Sequence, residues 1–396
     1  MTFQDELVEL RRALHREPEV GLHLPRTQEK VLGALGGLPL EITTGERLSS
    51  VTAVLRGSRP VSRLGPTVLL RADMDALPVH EKADVPYRSA LDGRMHACGH
   101  DLHMSMLVGA ARLLADRRAE LAGDVVFMFQ PGEEGQEGAK IMIEEGVLDA
   151  SGSRPVAAYG MHVFSTTIPR GLFLTRSGPV LAAADTLTVT VRGRGGHGSS
   201  PHRALDPIPA ACEIVTALQT HVTRTFDVFD PVVVTVGSFH AGTTDNVIPD
   251  EARFETTIRT FSAQSRDRVR DGAVRLARGI GEAHGLTVEC EFGIGYPVTV
   301  NDRAEADFAA ETVREALGED RFFPMPHPAT GSEDFSFVLE EVPGAFLVVG
   351  ACPPGHDLAA APSNHSAGAV FDDEILSDGA TLFTELAVRR LAAAAR

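Results

Sequence analysis

The chain has 396 residues, 43% of them hydrophobic and 23% charged, with a formal net charge of −17. That length exceeds one ordinary core, so two domains are expected, and the acidic surplus lacks the basic footprint that nucleic-acid binding requires. No run approaches 18 apolar residues, which argues against a membrane span.

The opening Met-Thr-Phe-Gln-Asp-Glu-Leu has neither a basic nor an apolar leader region, so no secretory signal is expected. Residues 2–36 place apolar side chains at helical spacing, with Leu7, Leu10 and Leu14 and then Val31, Leu32 and Leu35 on buried stripes; Pro18 breaks the first helix. Val51–Leu55 and Thr67–Arg71 read as strands, the second running into Ala-Asp-Met-Asp-Ala-Leu-Pro. Leu102–Arg118 reads as a helix, Asp124–Gln130 as a strand, Gly138–Glu145 as a helix and Val156–Met161 as a strand ending at His162. Strands alternating with helices predict a doubly wound α/β sheet, mostly parallel or mixed, and ligands of such sheets lie beyond the carboxyl ends of the strands. Asp73, Asp75, Glu133, Glu134 and His162 all fall at or after predicted strand ends, and His96–His103 precedes a helix.

From about Asp185 the pattern changes. Thr186–Arg192, Val232–Phe239, Ala252–Thr260 and Leu286–Phe292 read as strands, Ala204–Thr223 and Ala263–His284 as helices, which makes a complete βαββαβ unit. Helical and strand patterns resume at Ala304–Leu317 and Ala345–Val349, and the Ala-rich end reads as a last helix. The expected organisation is a discontinuous catalytic domain over 1–183 and 297–396 around an inserted α+β lid and dimerisation domain over 184–296.

Two stretches carry chemistry. Met95–His103 holds three His, one Cys and one Asp in nine residues, and Phe127–Gly135 sets Glu133 and Glu134 after a strand and a Gln-Pro-Gly turn. Imidazole, thiolate and carboxylate are the ligands of zinc and its neighbours. Gly99 lets the backbone turn tightly between Cys98 and His100. Adjacent carboxylates can divide two roles, one on a metal and one taking a proton from water. His162 and His365 are weak signals singly. Asp73 and Asp75 are either a strand-ending turn or partners that orient a ligand imidazole. The four cysteines, scattered without a Cys-x-x-Cys pair, suit a reduced, cytoplasmic protein; Cys212, Cys290 and Cys352 read as small buried hydrophobes. Gly193–Gly198 matches Gly-x-Gly-x-x-Gly formally, but the prolines that follow deny it the helix a dinucleotide site needs. No Gly-x-Ser-x-Gly elbow supports serine-hydrolase chemistry.

Read together, these segments resemble the M20 metallopeptidase family, in its amidohydrolase branch of hippurate hydrolases, N-acyl-amino-acid deacylases and auxin-conjugate hydrolases. The match runs through His15-Arg-Glu-Pro-Glu, Arg71-Ala-Asp-Met-Asp-Ala-Leu-Pro, His96-Ala-Cys-Gly-His-Asp and Phe129-Gln-Pro-Gly-Glu-Glu. It continues through Gly160-Met-His-Val, Gly196-His-Gly-Ser-Ser-Pro-His, Asn246-Val-Ile-Pro, Gly331-Ser-Glu-Asp-Phe and Asn364-His-Ser. The resemblance implies two divalent metal ions, Zn2+ or Mn2+ before Co2+ or Ni2+, with Cys98 bridging and His100, Glu134, His162 and His365 as the other ligands. It also implies Glu133 as general base, Asp75 as an orienting partner, His197 on the lid as oxyanion donor, and Asn246 and Arg259 as substrate contacts. The Gly331–Phe335 loop is similar to the family's substrate-pocket segment. Gly132 stands where alanine is usual, and the spacing after His365 is looser than usual. The implied activity is hydrolysis of the linear amide bond of N-acyl amino acids by a homodimer or higher homo-oligomer. Dipeptidase, aminopeptidase or carbamoyl-amide hydrolase activity on the same scaffold is the alternative within the class, and a catalytically silent metal-binding protein the alternative outside it.

Overall fold

The Thr2 hydroxyl accepts from the Asp5 amide at 3.2 Å and the Asp5 carboxylate accepts from the Thr2 amide at 2.8 Å, a reciprocal cap that starts the first helix. The structure, a computed structural model, describes residues 2–59 and 65–395. Met1, residues 60–64 and Arg396 belong to the expected catalytic segments and lie outside the described residues.

The chain divides into two compact units, Met1–Val180 with Val300–His327 and Asp334–Arg396, and Leu181–Thr299 with Pro328–Glu333. In chain order the first unit begins with α1 (Phe3–Arg16), α2 (Pro25–Leu35), β1 (Leu40–Thr44), β2 (Val51–Leu55), β3 (Thr67–Asp73), α3 (His100–Asp116), β4 (Asp124–Gln130), α4 (Gly138–Glu144), β5 (Ala157–Phe164) and β6 (Phe173–Thr175). The second unit contributes β7 (Ala183–Arg192), α5 (Pro207–Thr225), β8 (Val232–Ala241), β9 (Glu251–Thr260), α6 (Ala263–Ala283) and β10 (Thr287–Ile294). The first unit resumes with α7 (Arg303–Leu317), β11 (Phe322–Pro324), β12 (Gly344–Gly350) and α8 (Leu376–Ala394).

The first unit is built on an eight-stranded mixed sheet in the order β1-β2-β4-β3-β5-β12-β6-β11. Its centre is parallel: β3 lies between β4 and β5, and β12 runs parallel to β5. The pairs β1/β2, β2/β4 and β12/β6 are antiparallel. Every residue of β3 and β12 is buried, the pattern of a sheet covered on both faces. Helices α1, α3 and α8 pack on one another, and their apolar stripes join the sheet in one core that includes Leu7, Leu107, Val108, Phe127, Phe129 and Leu386. Because β3, β4 and β5 are parallel neighbours, the segments leaving them reach the same edge of the sheet.

The second unit has the βαββαβ order, with an antiparallel sheet β8-β9-β7-β10. Burial alternates along β9, and its inward residues form a core with α5 and α6 through Phe254, Ile258, Ile214 and Ala273. Arg266 grips the buried Asp185 of β7 with two nitrogens, at 2.8 and 2.6 Å.

Four expectations are corrected. His162 lies inside β5, because β12 stays paired with that strand through Phe164. Helix α3 begins at His100, so His100–His103 are its first residues; Gly99, at φ +89°, turns the chain into it. Pro328–Glu333 packs with the second unit, because the Ala182 amide donates to the carbonyls of Ala329 and Gly331 at 3.2 and 2.9 Å. Finally, Cys212 is exposed and Cys290 half-buried, leaving Cys352 as the buried apolar cysteine outside the site. Cys212 sits on the outward side of α5, and Cys290 on a strand at the sheet's edge.

Candidate metal centre

Five donors converge on the edge of the first unit's sheet. Cys98 Sγ lies 3.2 Å from His162 Nε2 and 3.3 Å from His365 Nε2, and His365 Nε2 lies 3.2 Å from Glu134 Oε1. Two triads of donor atoms, Cys98–His100–His162 and Cys98–Glu134–His365, each fall within 4.8 Å and share the one sulfur. His100, Glu133 and Glu134 form a third group of the same compactness.

Local structure explains how each donor is aimed. Gly99 carries no Cβ, and one would come within 2.4 Å of Val163 Cγ2, so the Cys98–His100 turn sits flush against β5. His100 Nδ1 donates to the Asp75 carbonyl at 2.8 Å, which leaves the Nε2 lone pair facing the site. His162 Nδ1 donates to the Val163 carbonyl at 2.8 Å, with the same result for its Nε2. The Glu133-Glu134 turn hangs on Asp75, whose carboxylate oxygens accept the two amides at 2.9 and 3.0 Å. Gly132 in that turn has φ +73°, and a Cβ there would lie 2.5 Å from Leu22. Glycine therefore suits this chain where alanine would be strained. His365 itself adopts φ +69°, uncommon for a residue with a side chain; its amide donates to the Ala97 carbonyl at 2.9 Å, which holds it there.

Two tests favour a cation. His100 Nε2 and Glu134 Oε1 are buried without a hydrogen-bond partner. His365 Nε2 lies 3.2 Å from that Glu134 oxygen as an ion-pair contact, and both belong to the group that also holds the Cys98 sulfur. Buried lone pairs aimed together with a sulfur are costly unless something positive sits among them. The protonation behaviour agrees. The Cys98 sulfur and the Glu134 carboxylate beside its ring push His365 up to about 10. Burial works against a charged His100, yet the facing Asp73 and Cys98 raise it well above the usual imidazole range. Burial would raise Asp73, but His100, His103 and Arg71 hold it well below the carboxylate range. The anionic groups thus favour protons on His100 and His365, while burial and then the neighbouring His103 hold His162 well below the usual imidazole range.

Around the donors lies a buried brace. Asp73 Oδ1 is 2.6 Å from His103 Nδ1, and Asp73 Oδ2 accepts from Arg71 Nη1 at 2.8 Å. Arg71 also donates to Gln130 Oε1 and Asp334 Oδ1, at 2.8 and 3.0 Å, and Gln130 Nε2 donates to both Asp334 oxygens. Sequence reasoning left Asp73 between two readings and missed Arg71, His103, Gln130 and Asn364 as partners of the site. The available signal was a polar residue inside an otherwise apolar buried strand, as Arg71 and Gln130 are.

Asp75 meets His100 directly, its carbonyl 2.8 Å and a carboxylate oxygen 3.6 Å from Nδ1, and its carboxylate also accepts the Glu133 and Glu134 amides. Glu133 is buried beside His100 and Glu134. His197, Asn246 and Arg259 belong to the second unit. His197 and Asn246 adjoin, since His197 pairs with Val247 and the Gly198 amide donates to the Asn246 carbonyl. Arg259 lies on β9, where burial lowers its guanidinium from the usual range.

A mixed α/β sheet with a thiolate, imidazole and carboxylate cluster at its edge, and a second carboxylate beside it, defines a metal-dependent hydrolase of amide bonds. Residues 69–389 match Peptidase family M20/M25/M40, and the chain belongs to that family. It is 36% identical over 391 residues to thermostable carboxypeptidase 2 of Saccharolobus solfataricus, covering 98% of this chain and 96% of that one. It is 35% identical over 387 residues to the N-acetylcysteine deacetylase of Bacillus subtilis, covering 98% and 97%. The crystal structure of a dinuclear metal-binding M20 peptidase from Bacillus subtilis superimposes with a TM-score of 0.84 at 33% identity, over 98% of this chain and 99% of that one.

Proposed function

We propose that this enzyme cleaves the amide bond of N-acyl amino acids, acetyl or hippurate-like, with two divalent ions held by Cys98, His100, Glu134, His162 and His365. The observation that carries the reading is the sharing of Cys98 Sγ by two donor triads, which suits a bridging thiolate between two ions. Zinc or manganese fits this mixture of sulfur, nitrogen and oxygen donors first, and cobalt or nickel is chemically compatible.

Bound ions would supply Lewis acidity, polarising the amide carbonyl and acidifying water. The chain supplies the rest. Glu133 takes the water proton and delivers it to the leaving amine, acting as base and then as acid; its buried carboxylate and its clamped backbone suit that shuttle. Asp75 keeps Glu133 and Glu134 in register, so Glu134 would serve as the ligand and Glu133 as the base. His197 Nδ1 accepts from the Ser199 amide at 3.2 Å, which leaves the ring proton on Nε2 as the donor a developing oxyanion needs. Asn246 and Arg259 are assigned to the substrate's polar groups. The same reading makes the enzyme a homodimer or higher homo-oligomer and places it in the cytoplasm, whose reducing conditions suit four free cysteines.

Peptide cleavage is the second reading, favoured by the similarity to a carboxypeptidase. Turnover of N-acetyl and N-benzoyl amino acids against dipeptides, on protein stripped and reloaded with defined metals, separates the two. Glu133→Ala is expected to keep its metal and lose about 10²–10⁴-fold in kcat. Unchanged turnover removes Glu133 as the base.

A further inference from the structure

His103 is not among the five donors, yet its ring touches both imidazoles of one triad. It stacks on His100 with centroids 5.4 Å apart and meets His162 edge-on at 4.9 Å. The residue is 1% exposed, and both ring nitrogens are engaged. Nε2 accepts the Val163 amide hydrogen at 2.9 Å, and Nδ1 faces Asp73 Oδ1 at 2.6 Å. A backbone amide can only donate, so Nε2 carries no proton and the ring hydrogen sits on Nδ1. Arg71 anchors the other side of Asp73. A chain of contacts, Arg71–Asp73–His103, therefore ends on the main chain of β5, one residue beyond His162.

The Val163 carbonyl is held as well. It accepts from His162 Nδ1 at 2.8 Å and from Asn364 Nδ2 at 2.9 Å, and Asn364 Nδ2 also lies 3.2 Å from the Cys98 carbonyl. The backbone of this one valine thus joins α3, β5 and the loop that carries His365.

We propose that His103 is a positioning residue that fixes the Cys98–His100–His162 half of the site, by pinning the Val163 main chain against α3. This rests on the two-ion reading above. The other triad has its own supports: Glu134 hangs by its amide on Asp75, and His365 by its amide on Ala97. Removing the His103 ring frees the end of β5 relative to α3, and metal ligands tolerate displacements of only about 0.2 Å. Loss of a ligand's outer partner costs on the order of 10–100-fold in metal affinity. The two halves should therefore respond unequally.

The test is a Co2+ titration of the metal-free full chain, read by thiolate-to-cobalt charge transfer and by metal counts after dialysis. Wild type takes up two ions per chain; uptake of none would sink the two-ion reading itself, whatever the variants do. In His103→Leu one binding step weakens about 10–100-fold while the other keeps its constant. In His103→Gln, whose amide can accept from Val163 and donate to Asp73, the weakened step recovers. Two unchanged steps, or equal losses in both, would overturn the inference while leaving the two-ion reading intact. Long-range 1H–15N spectra of the zinc-loaded wild type decide the matter even if the leucine variant does not fold. The His103 proton must appear on Nδ1, and its presence on Nε2 overturns the proposal.

Discussion

Asp75 and His100 are joined through the backbone: His100 Nδ1 donates to the Asp75 carbonyl at 2.8 Å, while the Asp75 carboxylate is spent on the amides of Glu133 and Glu134. One residue at the mouth of β3 thus orients the His100 ring with its main chain and the Glu pair with its side chain.

That division makes Asp75→Asn informative. An asparagine keeps the carbonyl that holds His100, but its amide nitrogen cannot accept from a second N–H. One charge-assisted hydrogen bond to the Glu133-Glu134 turn is lost and two donors face each other, at a cost of about 1–3 kcal/mol. The expected outcome is a lowered urea midpoint and reduced kcat, with near-normal metal content. Metal loss as complete as in a His100 variant would contradict the backbone role.

Asp334 is fully buried and accepts from Arg71, Gln130 and the Ala139 amide. In Asp334→Asn the Arg71 guanidinium keeps Asp73 but loses the second carboxylate. Breaking a buried pair from one side costs about 3–5 kcal/mol, because the remaining charge stays desolvated. Denaturant unfolding of the metal-free protein should show a loss of that order. A loss under about 1 kcal/mol would mean that water replaces the carboxylate, as at an exposed pair.

Acid sensitivity is expected in the second unit at His221. Its Nε2 has no partner, and a Cβ on Gly272 would lie 2.3 Å from that atom, so α5 and α6 meet tightly there. Burial, then the nearby Arg275 and Arg268, lower its protonation range below the ordinary imidazole value. A histidine depressed in the folded state lends stability that is complete above its unfolded pKa, about 6.5, and that fades as pH falls through the folded value. The urea midpoint of wild type should therefore decline from pH 7 toward pH 5 more steeply than that of His221→Leu. Parallel slopes would remove His221 from the acid response.

Much of the fold was readable from local pattern. Short apolar runs located β2 and β4, and helical spacing located α6, to within a residue or so, because each is bounded by clear end signals. The missed strand β1 has one half-buried and four exposed residues, so it carries no apolar alternation and forms only because β2 offers it an edge. The three-residue β6 and β11 are too short for any period to register.

The residues of the candidate site were legible as a set, since thiolate, imidazole and paired carboxylates recur at element ends, and they do cluster. Residue types and helical or strand periodicity are local properties, and they determined the α/β class, the inserted βαββαβ unit and the candidate ligands. Only the tertiary structure decided that residues 98, 134, 162 and 365 meet, that His365 takes a left-handed backbone to do so, and that His103 and Asn364 hold the Val163 main chain between them. Those facts depend on which strands lie side by side and on where buried amides find acceptors, and both are set by long-range packing that no local window contains.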